Sequence, residues 1–212
     1  MRTIAVLPVK HFERAKQRLG EVLDPDDRWS LAIAMAGDVI RAVCAAKSLE
    51  RVLVVTADDE AAALAREAGA EVVAEPEVAG HNPAAELGIA RAVALGAERV
   101  LLVPGDCPAL RPEDVNDLLS RHRRDGLVVV PDRHGSGTNA LLIAPPRAIR
   151  PAFGEESCRR HRALAASAGV ACAIDPVWSL ALDVDDGDDL DALRSEGEPG
   201  PRTQAALAEL AR

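Results

Sequence analysis

Aromatic residues are almost missing from this chain. It has no tyrosine, and Phe12, Trp29, Phe153 and Trp178 are its only Phe or Trp residues. A surface that stacks unpaired bases is therefore not expected. A basic excess is missing too: 34 acidic against 25 basic residues leave a formal charge of −9, the wrong sign for a nucleic-acid polymer as partner. No run reaches the ~20 uncharged apolar residues that span a bilayer, so no membrane partner is expected. The four cysteines, Cys44, Cys107, Cys158 and Cys172, contain no C-x-x-C pair. They read as reduced thiols, and with no signal-peptide layout ahead of Thr3-Ile4-Ala5-Val6-Leu7 the expected setting is cytoplasmic.

Hydrophobic residues make up 48% of the 212-residue chain, enough for a core without a metal or disulfide staple. Short apolar runs alternate with longer helical patterns. Strands are expected at 4–9, 51–56, 71–74, 100–103, 127–131, 139–144, 170–174 and 180–184. Helices are expected at 28–46, where Leu31, Met35, Val39 and Val43 share one face, and at 59–68, 82–95, 112–123, 157–168, 188–194 and 202–210. Fully apolar strands alternating with helices specify a three-layer α/β sandwich. The close pair 127–131 and 139–144 makes its sheet mixed but mostly parallel. Residues 1–195 are read as one domain, and 196–212 as a Gly/Pro/Glu linker with a terminal helix.

In such a sheet, ligands bind beyond the C-terminal strand ends. After the first strand come the cations Lys10, Lys16 and Arg18, either a phosphate clamp or a solvated basic loop. After the fourth comes Pro104-Gly105-Asp106-Cys107-Pro108, a carboxylate in a rigid turn. Gly135-Ser136-Gly137-Thr138 permits close backbone approach, or is a plain hairpin loop. In Leu182-Asp183-Val184-Asp185, read as a strand, both carboxylates project from one face. A divalent cation would relieve their repulsion, and the alternative is a solvated acidic run. Asp188 and Asp189 are expected to cap a helix.

Taken in this order, these segments resemble the 2-phospho-L-lactate / phosphoenolpyruvate guanylyltransferases of deazaflavin coenzyme F-420 biosynthesis, over roughly residues 3–190. The match lies in Pro8-Val9-Lys10, Ala15-Lys16-Gln17-Arg18-Leu19, Arg28 with Leu31-Ala32, Pro104–Pro108, Gly135–Leu141, Phe153-Gly154-Glu155-Glu156-Ser157 with His161, and Leu182–Asp185. The chain departs from the family pattern at Cys107, Cys158 and His81-Asn82-Pro83.

The resemblance implies a nucleotide-diphospho-sugar transferase-like fold and GMP transfer from GTP to a small phospho-acid. Phosphoenolpyruvate is the favoured acceptor, with 2-phospho-L-lactate and 3-phosphoglycerate as alternatives. It implies Mg²⁺ on Asp106, Asp183 and Asp185, a triphosphate clamp of Lys10, Lys16 and Arg18 assisted by Asp106, and an acceptor site at Thr138, Gly154, Ser157 and His161. Hand-over of a labile product to a following enzyme is also implied. A molybdopterin- or sugar-phosphate nucleotidylyltransferase and a non-catalytic nucleotide-binding paralogue are the competing expectations. With so few rings, guanine is expected to meet backbone and apolar groups near Leu7 and Thr56-Ala57-Asp58.

Overall fold

The computed structural model describes residues 1–12, 16–75, 80–124 and 126–210. Ala15 of the matched motif, and residues 211–212 of the expected terminal segment, lie outside them. Seven strands form one sheet: β1 (Thr3–Pro8), β2 (Arg51–Thr56), β3 (Glu71–Ala74), β4 (Arg99–Leu102), β5 (Gly126–Pro131), β6 (Thr138–Ala144) and β7 (Cys172–Ile174). Their order is β3-β2-β1-β4-β6-β5-β7. The ladders β1–β2, β1–β4, β2–β3 and β5–β7 are parallel, while β6 runs antiparallel to both β4 and β5.

Both faces of the five central strands are buried, as fully apolar strands require, while the edge strands β3 and β7 are half-buried to exposed. Ala5, Leu7, Val54 and Leu101 pack on one side with α1 (Pro25–Ala45), α2 (Asp59–Ala68) and α4 (Pro112–Arg121). Ile4, Val6, Val55 and Leu102 pack on the other with α3 (His81–Ala94) and α5 (Ser157–Ser167). Alternate residues of each strand thus feed opposite cores. Helix α3 lies so close to the sheet that a Cβ at Gly88 would run into the side chain of Val6.

One expected element differs. Residues 180–184 are not a strand: Trp178–Ala181 is a one-turn helix, α6, and the chain then runs extended without a sheet partner. The alternation in the sequence is nevertheless real. Leu182 and Val184 point into a third apolar cluster with Leu19, Met35 and Leu190, while Asp183 and Asp185 face away from it. A period of two reports an extended chain with one buried face, whether or not a neighbour supplies a ladder.

Helix α7 (Gly187–Glu196) is followed by α8 (Pro201–Leu210), which lies against α1. Proline opens α8, where a missing N–H costs nothing. The next two N–H groups, of Arg202 and Thr203, donate to Asp38 Oδ1 and Oδ2 at 3.2 and 2.7 Å. A buried α1 carboxylate therefore caps α8 across the helix interface. Replacing it by Asp38→Ala should lower stability by about 1–2 kcal/mol in urea unfolding and expose α8 to proteolysis, with Asp38→Asn intermediate.

Candidate active site

A cleft of about 440 Å³ opens beyond the C-terminal ends of β1 and β4. Lys10, Lys16 and His81 line it on the β1 side, and Gly105-Asp106 on the β4 side. Two independent ties bring the distant acidic segments together here. The Val184 N–H donates to the Asp106 carbonyl at 3.2 Å. Asn139, at the start of β6, donates from Nδ2 to Leu180 O at 2.7 Å and to Asp183 Oδ1 at 3.0 Å. Asp186 caps α7 in a reciprocal capping box with Asp189, and Asp189 also pairs with Arg133 at 2.8 Å.

Lys16 adopts the left-handed backbone region, φ 54° and ψ 39°, uncommon for a side chain with a Cβ. From there its ammonium enters the acid cluster, 2.6 Å from Asp106 Oδ2 and 2.8 Å from Asp185 Oδ1, with the side chain only 7% exposed. Burial works to lower the Lys16 pKa, but the two carboxylates outweigh it and hold the amine above its ordinary value. Asp183 is pushed up to about 6, first by burial and then by the charge of Asp106, against the hydrogen bond from Asn139.

This arrangement corrects two expectations. Lys10, Lys16 and Arg18 do not form one clamp. Lys16 is committed to carboxylates, Lys10 is exposed at the cleft, and Arg18 is exposed on a short 3-10 helix (Gln17–Glu21) with no ion pair among the described residues. Nor do Asp106, Asp183 and Asp185 converge as a ligand set. Among the described residues no three His, Cys, Asp or Glu side chains are grouped to hold a metal ion, because the Lys16 ammonium stands between Asp106 and Asp185. The donor type suits magnesium, but the arrangement does not fit it.

A second group forms where β6 starts and α5 begins. Ser157 opens α5 and its N–H donates to Gly154 O at 3.1 Å, while the Cys158 N–H donates to Ser136 O at 3.0 Å. The loop carrying Gly154 is anchored to α3 through Asn82. Phe153 N–H donates to Asn82 Oδ1 at 2.7 Å, and Asn82 Nδ2 donates to Phe153 O at 3.2 Å. The Phe153 ring lies edge-on to His81, 4.8 Å between centroids, and to His161 at 5.2 Å. His81 links this group to the cleft.

His161 is fully buried and both its nitrogens are engaged. The Ala152 N–H donates to Nε2 at 2.9 Å, so the neutral ring carries its proton on Nδ1 and donates it to Thr138 Oγ1 at 3.0 Å. The expected contact between His161 and an acceptor is thereby corrected. His161 fixes Thr138, whose own hydroxyl proton is left for another partner. Burial, with Arg160 nearby, pushes its pKa down to about 4.

A family model described as "Guanylyl transferase CofC like" matches residues 3–209. The chain belongs to this family. It is 49% identical to the phosphoenolpyruvate guanylyltransferase of Conexibacter woesei over 92% of this chain and 88% of that protein. It is 36% identical to the 3-phospho-D-glycerate guanylyltransferase of Phenylobacterium zucineum, over 97% and 95%. In fold it is similar to a putative nucleotide-diphospho-sugar transferase from Desulfovibrio desulfuricans, with a TM-score of 0.79 at 19% identity over 99% of this chain and 95% of that one. A nucleotidyl transferase from Methanothermobacter gives 0.65 at 15% identity, over 98% and 99%.

Within this guanylyltransferase scaffold, Asn82 and Asn139 hold positions for which the sequence alone assigned no role. The signal for Asn139 was an amide opening an otherwise apolar strand. For Asn82 it was the departure from the family pattern at 81–83. The other departures, Cys107 and Cys158, are buried free thiols; Cys107 Sγ donates to Leu180 O at 3.2 Å.

His161 gives a stability prediction. Its depressed native pKa means that only the unfolded state takes up the proton between about 6.5 and 4. Wild-type stability is therefore lost through this residue as pH falls across that window, by roughly 2–3 kcal/mol. Asp183, raised in the native state, acts in the opposite sense. The expected observation is a smaller loss between pH 7 and pH 4.5 in His161→Gln than in wild type, read from urea midpoints.

Proposed function

We propose that this protein transfers GMP from GTP to phosphoenolpyruvate in the biosynthesis of coenzyme F-420. An oxygen of the acceptor phosphate attacks the α-phosphorus of GTP. The new P–O bond gives enolpyruvyl-2-diphospho-5'-guanosine, and the α–β bond breaks to release pyrophosphate. The family membership and the 49% identical relative named for phosphoenolpyruvate support the acceptor. The observation that carries the reading is the cleft itself, where Lys10 and the Lys16–Asp106 pair meet beyond β1 and β4.

The reaction brings two anions together. At ~4 Å and an effective dielectric of 20, each pair of unit charges repels by about 4 kcal/mol. Lys10, exposed at the cleft, offsets part of this at the triphosphate. The Gly154 N–H and the hydroxyls of Ser157 and Thr138 supply donors for the phosphate and carboxylate of the acceptor, the Ser157 and Cys158 N–H groups being spent within the fold. His161 holds the Thr138 oxygen as an acceptor, so that hydroxyl donates outward. The acceptor phosphate is already ionised near neutral pH, so no strong base is needed.

Mg²⁺ dependence belongs to the reading as an expectation. No step is routed through the ion, because Lys16 fills the position between two of its proposed ligands. The free thiols fit a reducing, cytoplasmic setting, and hand-over of the labile product would follow. A relative named for 3-phospho-D-glycerate makes that acid, with 2-phospho-L-lactate, the competing acceptor.

Pyrophosphate release from GTP with each of the three acids tests this, with and without EDTA. Release with phosphoenolpyruvate is expected, and loss of that release in EDTA would show that a divalent cation displaces Lys16 from the acid cluster. Asp106→Asn, Asp183→Asn and Asp185→Asn should each reduce turnover by orders of magnitude in folded protein. Full activity in Asp183→Asn would remove it from the site. GTP binding without release on any acid would favour a non-catalytic nucleotide-binding protein.

A further inference from the structure

A guanylyltransferase must distinguish guanine from other bases, and the polar side chains of the expected position at Thr56-Ala57-Asp58 are already in use. Asp58, beyond β2, accepts the Ala61 N–H on Oδ1 at 3.0 Å, capping α2. Its Oδ2 accepts the Phe12 N–H at 3.2 Å and lies 3.4 Å from His11 Nδ1. Thr56 Oγ1 accepts the Asp58 N–H at 3.0 Å.

One strand further along the same edge stands Glu75. It follows β3 directly, and its N–H donates to Thr56 O at 3.0 Å, which places it beside the end of β2. Glu75 is only 8% exposed, yet its Oε1 is buried and accepts no hydrogen bond, and it makes no ion pair among the described residues. A buried carboxylate oxygen without a donor is costly, and a ligand that supplies the donor relieves the cost. The same edge of the sheet leads to the cleft: β1 continues alongside β2 through Val9 N–H to Val55 O at 2.9 Å and runs on to Lys10, which lines it.

We infer that Glu75 reads the guanine base, its carboxylate accepting the adjacent N1–H and 2-amino donors of the purine. The inference rests on the guanylyl-transfer reading and deepens it. Adenine offers no N1–H. Xanthine keeps N1–H but presents a carbonyl at position 2, an acceptor facing an acceptor. Hypoxanthine lacks the 2-amino donor altogether. A site with a buried acceptor discriminates against each of these, since the unsatisfied oxygen is left behind.

Calorimetric titration of the full chain with GTP, ITP and XTP tests it without requiring turnover. Wild-type protein should bind GTP roughly 10- to 100-fold more tightly than ITP or XTP. Glu75→Gln replaces one acceptor oxygen by an amide donor, matching the xanthine edge, and should reverse the GTP-to-XTP order. A gain of XTP binding cannot come from misfolding. An unchanged GTP-to-XTP ratio in the variant overturns the assignment. If the variant does not fold, equal GTP and ITP affinity in wild type overturns it. Pyrophosphate release is read separately: discrimination for GTP without release on any acceptor supports Glu75 while overturning the transfer reaction.

Discussion

The Lys16 ammonium, held between Asp106 and Asp185, is the interaction around which the site is organised. Two carboxylates brought together by folding need a counter-charge, and burial of the cluster amplifies that need. Lysine supplies it from within the chain, at the cost of a left-handed backbone at its own position. The acid that receives no such contact is Asp183, and it is the one whose affinity for protons rises. Charge balance at the cleft is therefore internal, and any incoming cation competes with a tethered one whose effective concentration is high.

Around this centre, neutral polar side chains do the positioning. Asn139 holds the Asp183 segment, Asn82 holds the Gly154 loop, and His161 holds Thr138. Each spans elements far apart in sequence, and each uses directional bonds in buried or half-buried surroundings. The sheet supplies the rigid frame, and these amides and the imidazole set where the loops at its edge come to rest.

Much of the frame was legible in the sequence because apolar periodicity encodes burial. The alternation through Leu182-Asp183-Val184-Asp185 reported a real buried face and a real pair of outward carboxylates. It could not report that the segment lacks a strand partner, since pairing depends on what lies alongside. The positions of Asp106 and His161 could be named from their segments, but not their partners. That Lys16 turns toward acids, and that both His161 nitrogens are spent within the fold, follow from backbone conformation and from contacts that the order of residues does not carry. The roles of Asn82 and Asn139 were hidden for the same reason: an amide's role is set by the groups it reaches.

The Asp38 cap on α8 joins positions 164 and 165 residues apart. During synthesis, α1 emerges early and presents a carboxylate whose partners do not yet exist. Until Thr203 has cleared the ribosome, that side of α1 stays uncovered. Met35 and Ala36 of the same helix line the cleft, so the helix that forms one of its walls is braced by a segment made long after it. A nascent chain arrested before this point would carry every residue of the acid cluster on a scaffold still open at the back.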